Sequence, residues 1–148
     1  MLDFKNGEII LSQPQLIISG CLRKQTLQAG IPELIISSYT VNEYCHYHVW
    51  CDIESDDYIF ADVCFANDTL VEVRLCPQHK TQTAAQKQIS NMDLETAREL
   101  MHAWCENFQL QNMEYPWGTV SINLGADPIY SPPNILICYN PICYKESL

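Results

Sequence analysis

Positive charge is scarce in this chain. Eight Lys and Arg stand against eighteen Asp and Glu, giving a net charge of −10 and a pI near 4.6. A surface of that sign repels nucleic-acid phosphates and anionic lipid, and it attracts a basic protein. Glycine is scarce too. The five glycines, at 7, 20, 30, 118 and 125, never lie close enough to form a phosphate-cradling nest followed by Lys. There is no Gly-x-Ser-x-Gly elbow to present a nucleophile and no Cys-x-x-Cys pair. Long apolar runs are missing. The longest, such as Leu34-Ile35-Ile36 and Ile135-Leu136-Ile137-Cys138, are far too short to span a bilayer. The opening Met1-Leu2-Asp3-Phe4-Lys5 lacks the basic-then-apolar pattern of a signal peptide, so a cytoplasmic protein with no membrane partner is expected. Linkers, repeats and low-complexity tails are absent, and residues 1–148 read as a single domain.

What the chain has in quantity is cysteine and apolar residues. Apolar types make up 47%, enough for a real core without a covalent staple. The eight cysteines, at 21, 45, 51, 64, 76, 105, 138 and 143, would suggest a disulfide framework in a secreted protein. With no export signal they are expected to be reduced and to act as small core-filling residues.

Along the chain, Leu2 to Leu11 reads as a hairpin turning at Asn6-Gly7, a pair that supplies positive φ. Residues 14–30 are ambiguous, with a short amphipathic helix as one option, weakened by Gly20. From Leu34 to Leu75 the composition is aromatic and β-branched, hence strand. Asn67-Asp68 turns into a strand with Val71, Val73 and Leu75 on one face and Glu72 and Arg74 on the other, and Pro77 is expected to stop it. Residues 78–90 read as a polar loop or frayed helix. Asp93 caps a helix running to about Leu110, whose Leu94, Ala97, Leu100, Met101, Trp104, Cys105 and Phe108 form one stripe. Strands over Thr119–Leu124 and Asn134–Tyr139 complete the pattern. The expected fold class is α+β: an antiparallel sheet with one long helix, and a second as an option, on one face.

Few residues offer chemistry. In Cys45-His46-Tyr47-His48-Val49-Trp50-Cys51 the residue types suit zinc, but strand alternation puts Cys45 and Cys51 on one face and His46 and His48 on the other. No cofactor or metal is therefore expected. His79 reads as solvated and His102 as a residue at the flank of the helix stripe. An enzyme using the Cys/His-rich strand is the weakest functional reading, since no constellation assembles from the sequence. The strongest local feature is acidic: Asp52, Glu54, Asp56, Asp57 and Asp62 lie within eleven residues, around the turn between two strands, near Trp50 and Tyr58. Turns favour Asp on their own account. Such a cluster also suits docking of a basic partner, acids steering and aromatics anchoring. Asp52, Glu54, Asp56 and Asp57 are the partner-binding residues expected on that reading.

The run Phe65-Ala66-Asn67-Asp68-Thr69-Leu70-Val71-Glu72-Val73-Arg74-Leu75, the helix with Trp104, Tyr115-Pro116-Trp117-Gly118-Thr119-Val120, Asp127-Pro128 and the strand Ile135-Leu136-Ile137-Cys138-Tyr139 together resemble bacterial immunity proteins of polymorphic-toxin and contact-dependent growth inhibition systems. The opening Phe4-Lys5-Asn6-Gly7 hairpin fits the same pattern. The resemblance implies a non-catalytic protein that neutralises one cognate toxin domain, often a basic nuclease, in the cytoplasm. It also implies that Trp117 packs on the sheet and that Gly118 permits the turn into the next strand. A binding protein like a secretion chaperone is the alternative from another class.

Overall fold

The computed structural model describes residues 2–3, 6–12, 15–30, 35–52, 57–79, 93–127 and 131–140. Three short strands, β1 (Leu2–Asp3), β2 (Glu8–Ser12) and β3 (Gln15–Ile18), form a small antiparallel sheet, followed by α1 (Lys24–Gly30). Gly7 turns β1 into β2 at φ 70°, where the sequence places Asn-Gly. The main sheet contains β4 (Ile35–Val41), β5 (Tyr44–Asp52), β6 (Asp57–Ala66), β7 (Thr69–His79), β8 (Met113–Tyr115), β9 (Gly118–Asn123) and β10 (Asn134–Tyr139). Its strand order is β4-β5-β6-β7-β10-β9-β8, antiparallel throughout. The long helix α2 (Leu94–Phe108) follows β7 in sequence. The fold is thus the expected α+β arrangement, with two helices among the described residues.

One face of the large sheet carries the core. Tyr47, Val49, Val63, Phe65, Val73, Leu75, Val120, Ile135 and Ile137 project from it. Against them pack Ile9 and Ile18 of the small sheet, Leu27 of α1, and Leu100, Met101 and Trp104 of α2. Trp104 is 2% exposed and lies 5.2 Å from the Phe108 ring. The α2 cap forms as the sequence implies: the Thr96 backbone N–H donates to Asp93 Oδ1 at 2.7 Å, and that bond holds the Asp93 carboxyl below its ordinary pKa. Gln109 ends the helix in the left-handed region at φ 54°. Arg98 fixes α2 to the β9–β10 connection, its Nε and Nη2 donating to the Leu124 and Gly125 carbonyls at 2.8 and 2.7 Å.

Several expectations need correction. Residues 15–18 form strand β3, and helix begins only at Lys24. Beyond Leu75, β7 pairs among the described residues with β6 alone, because its pairing with β10 ends at Ile135–Leu75. A proline fits such a one-sided stretch, so β7 runs through Pro77 to His79 rather than stopping there. His79 consequently ends a strand and does not lie in a loop. The register shifts between Cys64 and Phe65, so that Cys64 pairs with Glu72 and Phe65 with Leu70. Val71 is the extra residue, and Leu70 takes the buried place that simple alternation assigns to Val71. Cys21 is disulfide-bonded, which overturns the expectation that every cysteine is a free thiol; Cys45, Cys64, Cys76, Cys105 and Cys138 are free. The polar segment read over 78–90 lies, from residue 80 on, outside the described residues.

Trp117 packs on the sheet and also against the first hairpin. It stacks on Tyr115 at 5.1 Å and meets Tyr139 at 5.5 Å, and a Cβ on Gly7 would lie 2.5 Å from its ring. Gly118 is required by close approach and not by a left-handed turn. Its φ is not positive, and a Cβ there would sit 1.9 Å from the Cys138 carbonyl oxygen.

Candidate functional site

The face of the large sheet opposite the core has two polar rows, set by strand register. One row runs Tyr39, His46, Cys64, Glu72, Cys138, Thr119, from β4 through to β9. The neighbouring row runs Ser37, His48, Asp62, Arg74, Leu136, Ser121. Alternation therefore separates His46 and His48 from Cys45, as expected. What single-strand reasoning did not show is the cross-strand partnership that results.

His46 is the centre of that partnership. Its Nδ1 lies 3.0 Å from Asp62 Oδ1 and 3.2 Å from Oδ2, while its Nε2 lies 3.6 Å from Cys64 Sγ. The neutral tautomer with the proton on Nδ1 satisfies both contacts: Nδ1–H donates to the carboxylate, and Nε2 accepts from the thiol. The Tyr39 ring lies parallel over the imidazole at 4.6 Å and 2°. His48 bonds Ser37 Oγ through Nδ1 at 2.9 Å and meets the Phe60 ring at 5.2 Å. A thiol, an imidazole and a carboxylate in line have the connectivity of a nucleophilic triad.

The surroundings oppose that chemistry. Cys64 is only 3% exposed, and burial, reinforced by the Glu72 and Asp62 charges, pushes its thiol up to about 11. Nucleophilic cysteines need the opposite setting, electropositive and accessible. At neutral pH this thiol is a hydrogen-bond donor to His46 and little else. Among the described residues no group of three or more His, Cys, Asp and Glu is arranged to hold a metal ion.

At the β4 end of the same sheet the character changes. Every residue from Ser37 to Tyr44 is exposed, so this part of β4 carries no core residue on either face, while β5 stays paired with β6 as far as Tyr44–Ala66. Tyr39, Val41 and Tyr44 are 43%, 52% and 41% exposed and share one face. Asn42 makes the two-residue turn possible at φ 56°, and Glu43 beside it is exposed. At the far end of β5, Asp52 closes the strand and Asp57 opens β6, so two of the four expected partner-binding acids flank that turn; Glu54 and Asp56 lie outside the described residues.

Among the described residues the acidic side chains are seldom paired with basic ones. Arg23–Asp68, at 3.8 Å, is an ion pair among those residues, and Asp62 accepts a hydrogen bond from neutral His46 at 3.0 Å. Glu43, Glu95, Glu99, Glu106 and Glu114 are exposed and have no such partner. No described helix is long and apolar enough to cross a membrane. Comparison with protein-family models, with curated proteins and with solved structures gives no match for this chain.

Proposed function

We propose that this is a non-catalytic binding protein of the immunity type, which docks a basic toxin domain and neutralises it in the cytoplasm of the toxin-producing cell. One observation carries the reading: the β4–β5 hairpin offers exposed Tyr39, Val41 and Tyr44 next to Glu43, with Asp52 and Asp57 at the other end of β5. Aromatic anchors beside acidic residues are the parts from which a steered, specific protein interface is made. The net charge of −10 adds long-range attraction for a basic partner.

The test is co-expression with the toxin domain encoded beside this protein. Protection of growth is expected, with a complex whose Kd rises with salt. Converting Asp52, Glu54, Asp56 and Asp57 together to Asn and Gln should slow association and flatten the salt dependence. Absence of both protection and complex sinks the immunity reading. The Cys21 bridge is the observation that argues against a cytoplasmic location, since that compartment keeps thiols reduced. Thiol trapping in intact cells decides it: a Cys21 that labels without reductant fits the cytoplasm.

A thiol enzyme is the second reading, favoured by the Cys64–His46–Asp62 alignment alone. Cys64→Ser separates the two. It should leave toxin neutralisation intact, whereas loss of function with a retained fold would turn the assignment to catalysis.

A further inference from the structure

Among the described residues no strand pairs with the outer backbone edge of β4. β4 ends the strand order of the large sheet and, among those residues, is held by β5 alone. The Val41–Tyr44 pair closes a two-residue turn, so it exchanges both backbone hydrogen bonds, and bonding then alternates along the hairpin. Val41 and Tyr39 therefore bond to β5, while the N–H and C=O groups of Thr40 and Ser38 point outward. The one irregularity, between Ile35 and Ser37, lies at the start of the strand and leaves Ser37–Val41 in regular pairing. That stretch is about 17 Å long.

Natural sheets protect such an edge with a lysine, a proline, an inward-pointing charge, extreme shortness or a covering element. β4, Ile35–Val41, contains no charged residue and no proline, and its last five residues are exposed. An unguarded edge of this kind is a template for another strand. A second copy of the same chain is a poor occupant, because it would bring −10 against −10. Exposed Glu43 at the turn of the hairpin, on a chain of net charge −10, favours positive charge on whatever lies alongside. Tyr39, already stacked on His46, and Val41 would receive alternate side chains of the added strand on their shared face.

We propose that the β4 edge takes up an extended, basic segment of a partner protein as an additional antiparallel or parallel strand. The proposal rests on the docking reading above only in taking the partner to be basic.

The test uses the full-length protein, isotopically labelled, and an acetylated heptapeptide Lys-Thr-Lys-Val-Lys-Thr-Lys as probe. Amide exchange at Ser38 and Thr40 should slow when the peptide binds, since these N–H groups pass from water into a ladder. Thr40→Pro removes one outward N–H and leaves the β5 ladder intact, so it should weaken binding about tenfold. If that variant fails to fold, the exchange measurement on the unaltered protein still decides. Peptide that binds in a salt-dependent way and is weakened by Glu43→Gln, yet leaves exchange at Ser38 and Thr40 unchanged, overturns strand addition and leaves acidic docking standing. No binding by about 1 mM peptide also overturns strand addition. The toxin co-expression result is independent of either outcome.

Discussion

Replacing Gly118 by alanine tests a close backbone approach in the sheet. The added Cβ would stand 1.9 Å from the Cys138 carbonyl oxygen, 3.0 Å from its carbon and 3.1 Å from Tyr139 Cα. Normal contact with the oxygen needs more than an ångström of displacement. β10 cannot move away freely, because it is hydrogen-bonded to β7 on one side and β9 on the other. Gly118 itself is held in register with both Tyr139 and Tyr115. The obstacle is backbone, not a side chain that can rotate, so the cost belongs at the top of the range for overpacked sites, about 3 kcal/mol. At this chain length that lowers the melting temperature by roughly 6–12 °C. Urea unfolding followed by circular dichroism should show the midpoint falling by about 1.5 M for an m value near 2 kcal/mol per M. Gly30→Ala is the control. Gly30 is helical with nothing within 4 Å of the new methyl, so that change should be neutral or stabilising. A loss below about 1 kcal/mol for Gly118→Ala would refute the close approach of β9 to β10.

Two further outcomes follow from buried groups. The Tyr139 hydroxyl is buried without a hydrogen-bond partner among the described residues, and Tyr139→Phe should be neutral or stabilising by up to about 1 kcal/mol in the same unfolding assay; a comparable loss would show that the hydroxyl is bonded. Cys64 and Cys76 have thiols pushed up to about 11 and about 12, chiefly by burial, from an ordinary value of 9.0. Above pH 9 the unfolded chain releases these protons while the folded protein keeps them, so stability is full below pH 9 and declines above it, each thiol contributing a slope of about 1.4 kcal/mol per pH unit. Unfolding midpoints measured between pH 8 and 10.5 should fall, and a Cys64→Ala, Cys76→Ala protein should show a shallower fall. An identical slope in both proteins would contradict the burial of the two thiols.

Much of the fold was legible because its signals are local. Asn-Gly at 6–7, the Asp93 cap and the Leu100–Met101–Trp104 stripe each depend on residues within one or two turns of each other, and each appears where the sequence puts it. The errors came where a distant strand decides the outcome. Pro77 continues a strand because β10 pairs no further than Leu75. Val71 yields its buried place to Leu70 because Phe65, six residues from Val71 on another strand, sets the register. Gly118 is small because Cys138 passes over it, a fact no turn propensity encodes. The His46 arrangement was unreadable for the same reason. Its partners Asp62 and Cys64 are sixteen and eighteen residues away, and only the β5–β6 register brings them to one imidazole. A signal for it did exist: both lie at even positions of an alternating strand paired with the even positions of the Cys/His segment.

The place of β10 has a consequence for biosynthesis. It is the last strand of the described chain, yet it is inserted between β7 and β9, and does not lie at an edge. A ribosome releasing this polypeptide holds back the piece that joins the two parts of the sheet. Until it emerges, the four strands β4 to β7 form one raft with the β7 margin bare, and the β8–β9 hairpin waits beside it with no neighbour to hold it. The Gly7–Trp117 contact is delayed likewise, so the first hairpin made cannot settle fully against its aromatic seat until the late strands are in place. Chains interrupted before residue 134 would be left with open seams in their middle, where a stray strand from another nascent molecule can lodge. Released chains truncated on either side of β10 should differ abruptly in protease resistance, with little gradual change before that point.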